Sequence, residues 1–334
     1  MATIAENFKE KIVEGRFTAL SFSIVVLAMR FLLFYFHGVP ESSFPDTGFL
    51  WQYLAPFFAN PLVSFGAATL FIFLIALLIS GLNNRFSLIR TRTTLPFIVP
   101  LFLFSLHPSF LTMTPDFISI ALILIASFPL LEAYQQSDTQ LFSFRSSVLI
   151  GIAGLFQIYA LLMLPLWWRG EVSMRGLQSK SFFTFVFGVF LVYLSVFSVY
   201  FLFDNVPGFF APFLFFAQFP LFEIPYVTPI GWIGIVFVII AASLYMLLSV
   251  KLATRSKILA LSSVNFIVFV ISFSMIFQVI YGYETVFFFW LSVVLIGYLI
   301  AYYHSMATSK IHVYGAYLLL LLLIGFYLLN LFSF

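Results

Sequence analysis

The sequence predicts an all-α fold, a polytopic transmembrane helical bundle, on three observations. Hydrophobic residues make up 63% of the chain and charged residues only 8%, with a mean hydropathy of +1.13. A soluble domain carries roughly 25% charged residues to cover its surface, so no aqueous fold hides this much apolar side chain. The apolar residues also fall in continuous runs, most of them near the roughly 20 residues that cross a hydrocarbon layer as a helix. Backbone amides in hydrocarbon must be satisfied within a helix or a closed barrel, and a barrel would show alternating strands of about ten residues instead.

No stretch between these runs is long enough for a soluble domain, so residues 1–334 are expected to form a single membrane domain whose partner is the lipid bilayer. Cysteine is absent, which excludes disulfides, thiolate nucleophiles and Cys-based metal sites. The pI near 9.0 does not point to nucleic acid, because most Lys and Arg sit in short connections between apolar runs, where they orient a membrane protein.

In chain order, residues 1–16 mix Lys9, Lys11 and Arg16 with Glu6, Glu10 and Glu14, and place Ile4, Phe8 and Ile12 on one face. This predicts a short cytoplasmic interfacial helix before an uncleaved first span. Long apolar runs follow at Phe17–Phe36, Leu62–Leu82, Phe117–Leu131, Phe182–Phe203, Ile230–Val250, Ile258–Ile280, Val286–Tyr303 and Val313–Phe334. Two stretches are irregular. Leu95–Leu106 is short and carries Pro96 and Pro100, while Val148–Trp168 is Gly-rich in its first half with Gln157 in its middle.

Basic residues are retained on the cytoplasmic side, so the loops holding Arg85–Arg92, Arg145, Arg169–Lys180, Lys251–Lys257 and Lys310 should all lie inside with the N-terminus. That requires 148–168 to be a hairpin turning near Gln157 and Leu95–Leu106 to be a short crossing, about eleven transits in all. Fourteen of the fifteen Lys and Arg residues then share one side, and Arg30, inside the first span, is the fifteenth. The other side receives Glu41, Asp46, Asp116, Asp204, Glu223 and Glu284 without a single Lys or Arg in its loops. Residues 204–229, broken by five prolines, read as an aromatic loop along the outer surface or a lid over a groove.

Several polar residues have ordinary explanations. Thr114-Pro115-Asp116 is a helix-start sequence, and a carboxylate there is favoured by the helix dipole. Glu132 sits near the cytoplasmic end of its helix, where solvent or Arg145 would satisfy it, and Gln157 would satisfy exposed backbone at the hairpin tip. His107 precedes Pro108 as a loop histidine. A charge as deep as Arg30 costs roughly 2.5–3.5 kcal/mol, so it should snorkel to headgroups, pair with an outer carboxylate, or contact a phosphate of a lipid.

An acid in the first outer loop (Asp46), a Pro-containing second outer loop from His107 to Asp116, and a Gly-rich hairpin from Leu149 to Pro165 resemble the membrane glycosyltransferases of type C fold over about residues 17–170. The resemblance implies transfer of a sugar from a polyprenyl-phosphate donor at the extracytoplasmic face. Asp46 would be the catalytic base, and Asp116 a second acid or the ligand of a divalent cation. Arg30 and His107 would lie on the donor phosphate. The segment Arg90-Thr-Arg-Thr-Thr-Leu-Pro96 and the same hairpin are also similar to an uncharacterised family of polytopic inner-membrane proteins of the Bacteroidota, which implies an inner (plasma) membrane location. Two further readings stand beside the enzyme: a non-catalytic envelope scaffold, and a transporter, for which broken helices with midplane charges in two related halves would be the sign.

Overall fold

A computed structural model describes residues 8–15, 17–40, 48–136, 138–217, 228–306 and 310–332, and among them every regular element is helical. The helices are α1 (Thr18–His37), α2 (Trp51–Leu54), α3 (Pro61–Phe86), α4 (Leu95–Leu103), α5 (Pro115–Glu132), α6 (Gln140–Phe156), α7 (Met163–Arg175), α8 (Ser179–Leu202), α9 (Val206–Leu214), α10 (Pro229–Ala253), α11 (Ile258–Tyr281), α12 (Phe287–Ser305) and α13 (Lys310–Phe332). Eight of them, α1, α3, α5, α8, α10, α11, α12 and α13, are long and apolar enough to span a membrane. The chain is therefore a multi-pass integral membrane protein.

The spans are not equivalent. Within its most apolar window α12 is 89% buried, whereas α1, α8, α10 and α13 are 17–22% buried and turn Leu, Phe and Ile side chains outward to lipid. Without a hydrophobic drive between helices in lipid, close approach depends on small residues and polar contacts. Gly297 of α12 illustrates it: a Cβ there would come 3.2 Å from both Pro100 and Leu103 of α4, so glycine lets the central helix lie against the proline-bearing short one.

Contacts between connections divide the bundle into two ends. At one end Thr94 N–H donates to the Val13 carbonyl (3.1 Å), Ser305 Oγ donates to Thr93 Oγ1 (3.0 Å), Ser256 meets Tyr302 (3.1 Å), and Arg85 pairs with Glu132. Every described Lys and Arg except Arg30 lies at or within two turns of this basic end. Of the N-terminal segment, the described residues 8–15 belong to it too. Lys9–Val13 form a π-helical turn, and Phe8 and Val13 are buried among Leu95, Ala301 and Val313. Glu132 is paired with Arg85 rather than with Arg145, because α3 and α5 end side by side.

The chain turns back at Gln157. Ser143 Oγ, near the start of α6, donates to Glu171 (2.8 Å), and Arg175, at the end of α7, donates to Ser143 Oγ (2.8 Å), so both arms begin and end at the basic end. The hairpin is longer than 148–168, with arms Gln140–Phe156 and 158–175. The short α4 also crosses, completed by an irregular stretch from Phe104 to Thr114 that contains a 3-10 turn at Pro108–Leu111. Among the described residues, eight helices are long and apolar enough to span a membrane, and these three shorter segments run between the same two ends of the bundle.

Candidate functional site

The acidic end is assembled on the hairpin tip. Pro115 and Asp116 open α5, the proline supplying a helical φ without needing its missing N–H and the carboxylate facing the positive end of the dipole. Asp116 is buried, 5% exposed, and its Oδ1 accepts from Gln157 Nε2 at 2.8 Å. The same amide donates to Thr285 Oγ1 (3.0 Å), which also accepts from Phe287 N–H (3.1 Å). Gln278 closes the knot by donating to the Thr285 carbonyl (2.9 Å) and accepting from Phe289 N–H (2.8 Å). Gln157 thus joins three elements through its side chain rather than only relieving its own hairpin backbone. Among the described residues Asp116 has no cationic partner.

The connection from α1 to α2 is fastened at both of its ends near this carboxylate. Upstream, Thr112 Oγ1, four residues before Asp116, donates to the Pro40 carbonyl at 2.6 Å. Downstream, Leu50 N–H donates to the Leu155 carbonyl at 2.9 Å, and a Cβ at Gly48 would collide with the Phe156 carbonyl. Only glycine permits the loop backbone to lie on the hairpin backbone this closely. Residues 41–47, with Glu41 and Asp46, lie outside the described residues, as does Glu223.

An aromatic roof adjoins the tip. Phe49, 1% exposed, is ringed by Tyr193, Tyr200, Phe209 and Phe213 at centroid distances of 5.7–6.0 Å. Phe209 and Phe213 belong to α9, so this part of the proline-rich connection is a helix seated on the hairpin side, and Tyr159 Oη donates to the Phe215 carbonyl (3.4 Å). Asp204 is exposed, and Glu284, the neighbour of Thr285, is half-buried. Among the described residues no three His, Asp or Glu side chains come together to hold a metal ion.

Arg30 neither reaches headgroups nor pairs with a described carboxylate. It is fully buried, and its Nε donates to Thr69 Oγ1 (3.1 Å), Nη1 to the Phe104 carbonyl (3.0 Å) and Nη2 to the Phe110 carbonyl (2.9 Å). Both carbonyls belong to the irregular stretch that completes the α4 crossing. Non-helical backbone at membrane depth survives only where its polar groups find partners, and the guanidinium supplies them. A phosphate at Arg30 would have to displace these carbonyls. The rings of Phe104, Phe110 and Phe117 pack together in this region, with Phe104 5.9 Å from Phe117, the neighbour of Asp116.

His107 begins the 3-10 turn: its Nδ1 accepts from Ser109 N–H (3.1 Å) and lies 2.7 Å from Ser109 Oγ. Its Nδ1 is thus taken up within its own turn. Sequence reasoning did not anticipate Thr285 and the anchors Pro40, Thr112 and Gly48; of these only Gly48, a glycine just after Asp46, left a local mark. No family model matches this chain, no curated protein matches it, and no solved structure matches it.

Proposed function

We propose that this chain is a glycosyltransferase of the inner (plasma) membrane, similar to the type C enzymes, that takes a sugar from a polyprenyl-phosphate donor at the extracytoplasmic face. In this reading the basic end faces the cytoplasm with the N-terminus, as retention of positive charge requires. Asp46 is the general base that removes the acceptor proton. Asp116, held by Gln157, is the second acid or one ligand of a divalent cation. Arg30 supports the reaction indirectly by fixing the second outer loop, and His107 shapes that loop through its contacts with Ser109.

The supporting observation is the double anchorage of the first outer connection. Pro40 is tied to Thr112 and Gly48 abuts Phe156, partners that lie four residues before Asp116 and one before Gln157. An ionisable residue buried at a membrane-protein helix end, unpaired with a cation, is by default a functional group.

The test is turnover of a polyprenyl-phosphate-linked sugar by the purified protein in vesicles. Asp46→Asn and Asp116→Asn should each lower the rate by about 10²-fold or more while leaving the melting temperature unchanged. Full turnover in both variants discards the mechanism. A wild-type protein inert toward every such donor, in vesicles where it is folded, discards the enzyme reading in favour of a scaffold.

A further inference from the structure

The helices α7 and α8 are joined by only three residues and tied at the basic end, where Arg175 donates to Ser181 Oγ at 3.0 Å, yet α8 then follows α6 rather than α7. Small residues draw it there. A Cβ at Gly188 of α8 would collide with Ser147 Oγ of α6, and one at Gly151 of α6 would lie 3.4 Å from Val192 of α8. The space left between α7 and α8 is a groove of about 460 Å³ on the face that meets lipid, where Phe182, Val186 and Phe190 are exposed. Its walls are Leu164, Pro165 and Trp168 on one side and Phe182, Phe185 and Phe190 on the other, with Trp168 and Phe182 edge to face at 4.9 Å. On α8 it runs from Phe182 to Phe190, about 12 Å at helical rise, which is most of the roughly 15 Å of hydrocarbon in one leaflet.

Two features select what fills it. Helices approach one another in lipid through small residues and polar contacts, and no Gly, Ala, Ser or Thr lines this groove, so its walls suit a flexible hydrocarbon chain better than a partner helix. The end nearest the start of α8, which is the basic end, also carries charge. Arg169 adjoins Trp168 and Lys180 lies two residues before Phe182; both are exposed, and neither forms an ion pair with a described residue, whereas Arg175 is occupied by Glu171. An apolar trough closed at the membrane surface by two unpaired cations matches a molecule with a hydrocarbon tail and an anionic head. We infer that this groove binds one anionic phospholipid of the basic-end leaflet, with an acyl chain along Phe182–Phe190 and the phosphate at Arg169 and Lys180. Both side chains are long enough to snorkel to the headgroup layer, and the arginine fork fits phosphate oxygens. The lipid closes a seam between the hairpin and α8 that side chains leave open.

Trp168 lies in the wall and reports occupancy, while Trp232, 42% exposed on α10, reports ordinary lipid contact. Two variants, each keeping one of these tryptophans with Phe replacing the other four, are reconstituted in phosphatidylcholine vesicles holding rising fractions of phosphatidylglycerol brominated on its acyl chains. Half-maximal quenching of Trp168 is expected at a mole fraction severalfold below that for Trp232. Arg169→Gln together with Lys180→Gln should bring the two curves together.

Native mass spectrometry of the chain with its tryptophans intact gives a second readout should their replacement unfold the protein. From an equimolar mixture of the two lipids, one phosphatidylglycerol per chain should be retained in mild detergent. It should be lost when both cations are replaced, and lost in Val189→Phe, which narrows the groove. Trp168 quenching that tracks Trp232, a preference for phosphatidylglycerol that survives removal of both cations, or retention of neither lipid or of both equally would each overturn the inference. Retention unaffected by Val189→Phe would do the same, and so would a dimer that Val189→Phe dissolves, since a second copy would then occupy the groove.

Discussion

Each end of the bundle buries a carboxylate, and the two are treated in opposite ways. At the basic end Glu171 pairs with Arg175 one turn later, and both side chains are 1% exposed. Ser143 donates to the same carboxylate, and Arg175 reaches Ser181 at 3.0 Å. At the acidic end Asp116 receives an amide from Gln157 and the dipole of its own helix, and no described cation. A buried charge matched by a buried partner is used up in joining α6, α7 and α8. A buried carboxylate held only by neutral donors retains its capacity to exchange a proton or take a ligand.

The comparison can be broken experimentally, beginning with the largest effect. Arg175→Met leaves Glu171 buried without its partner, which should cost roughly 3–5 kcal/mol. Melting of the purified protein in detergent is the measurement, and Glu171→Leu in the same chain should restore most of the loss. A double variant as unstable as the single one would show that the pair does more than neutralise itself. Arg30→Met removes three hydrogen bonds and orphans two carbonyls inside the bundle, with an expected cost of about 3 kcal/mol or more. Arg30→Lys should recover little of it, since an ammonium cannot reproduce the planar fork that spans Thr69, Phe104 and Phe110.

Asp116→Asn should be the mildest of these, within about 1 kcal/mol, because Asn still offers an oxygen to Gln157. A loss as large as that of Arg175→Met would mean that the charge of Asp116 is structural, and the contrast between the ends would disappear.

Much of this was legible from residue order. The fold class follows from apolar runs whose length is dictated by bilayer thickness, and the hairpin at Gln157 follows from the need to keep Arg145 and the Arg169–Lys180 connection on one side. The candidate acid Asp116 was visible as a helix-start residue on a side without cations. What surrounds it was not. Thr285 and Gln278 lie more than 120 residues from Gln157 in the chain, and neither carries a local signal that it belongs with an aspartate at position 116.

The sequence by itself settled which stretches enter the membrane and how the basic residues divide, because insertion depends on length, hydropathy and charge, each a sum over nearby residues. Only the tertiary structure decided that α12 is the buried centre while α8 and α13 face lipid, since all three are apolar enough to span and apolar length alone does not say whether a helix touches protein or hydrocarbon. It alone also decided that Arg30 serves backbone rather than headgroups. Hydrogen-bond partners in a low-dielectric interior are chosen by geometry across the whole chain, and the carbonyls that Arg30 satisfies are 74 and 80 residues away.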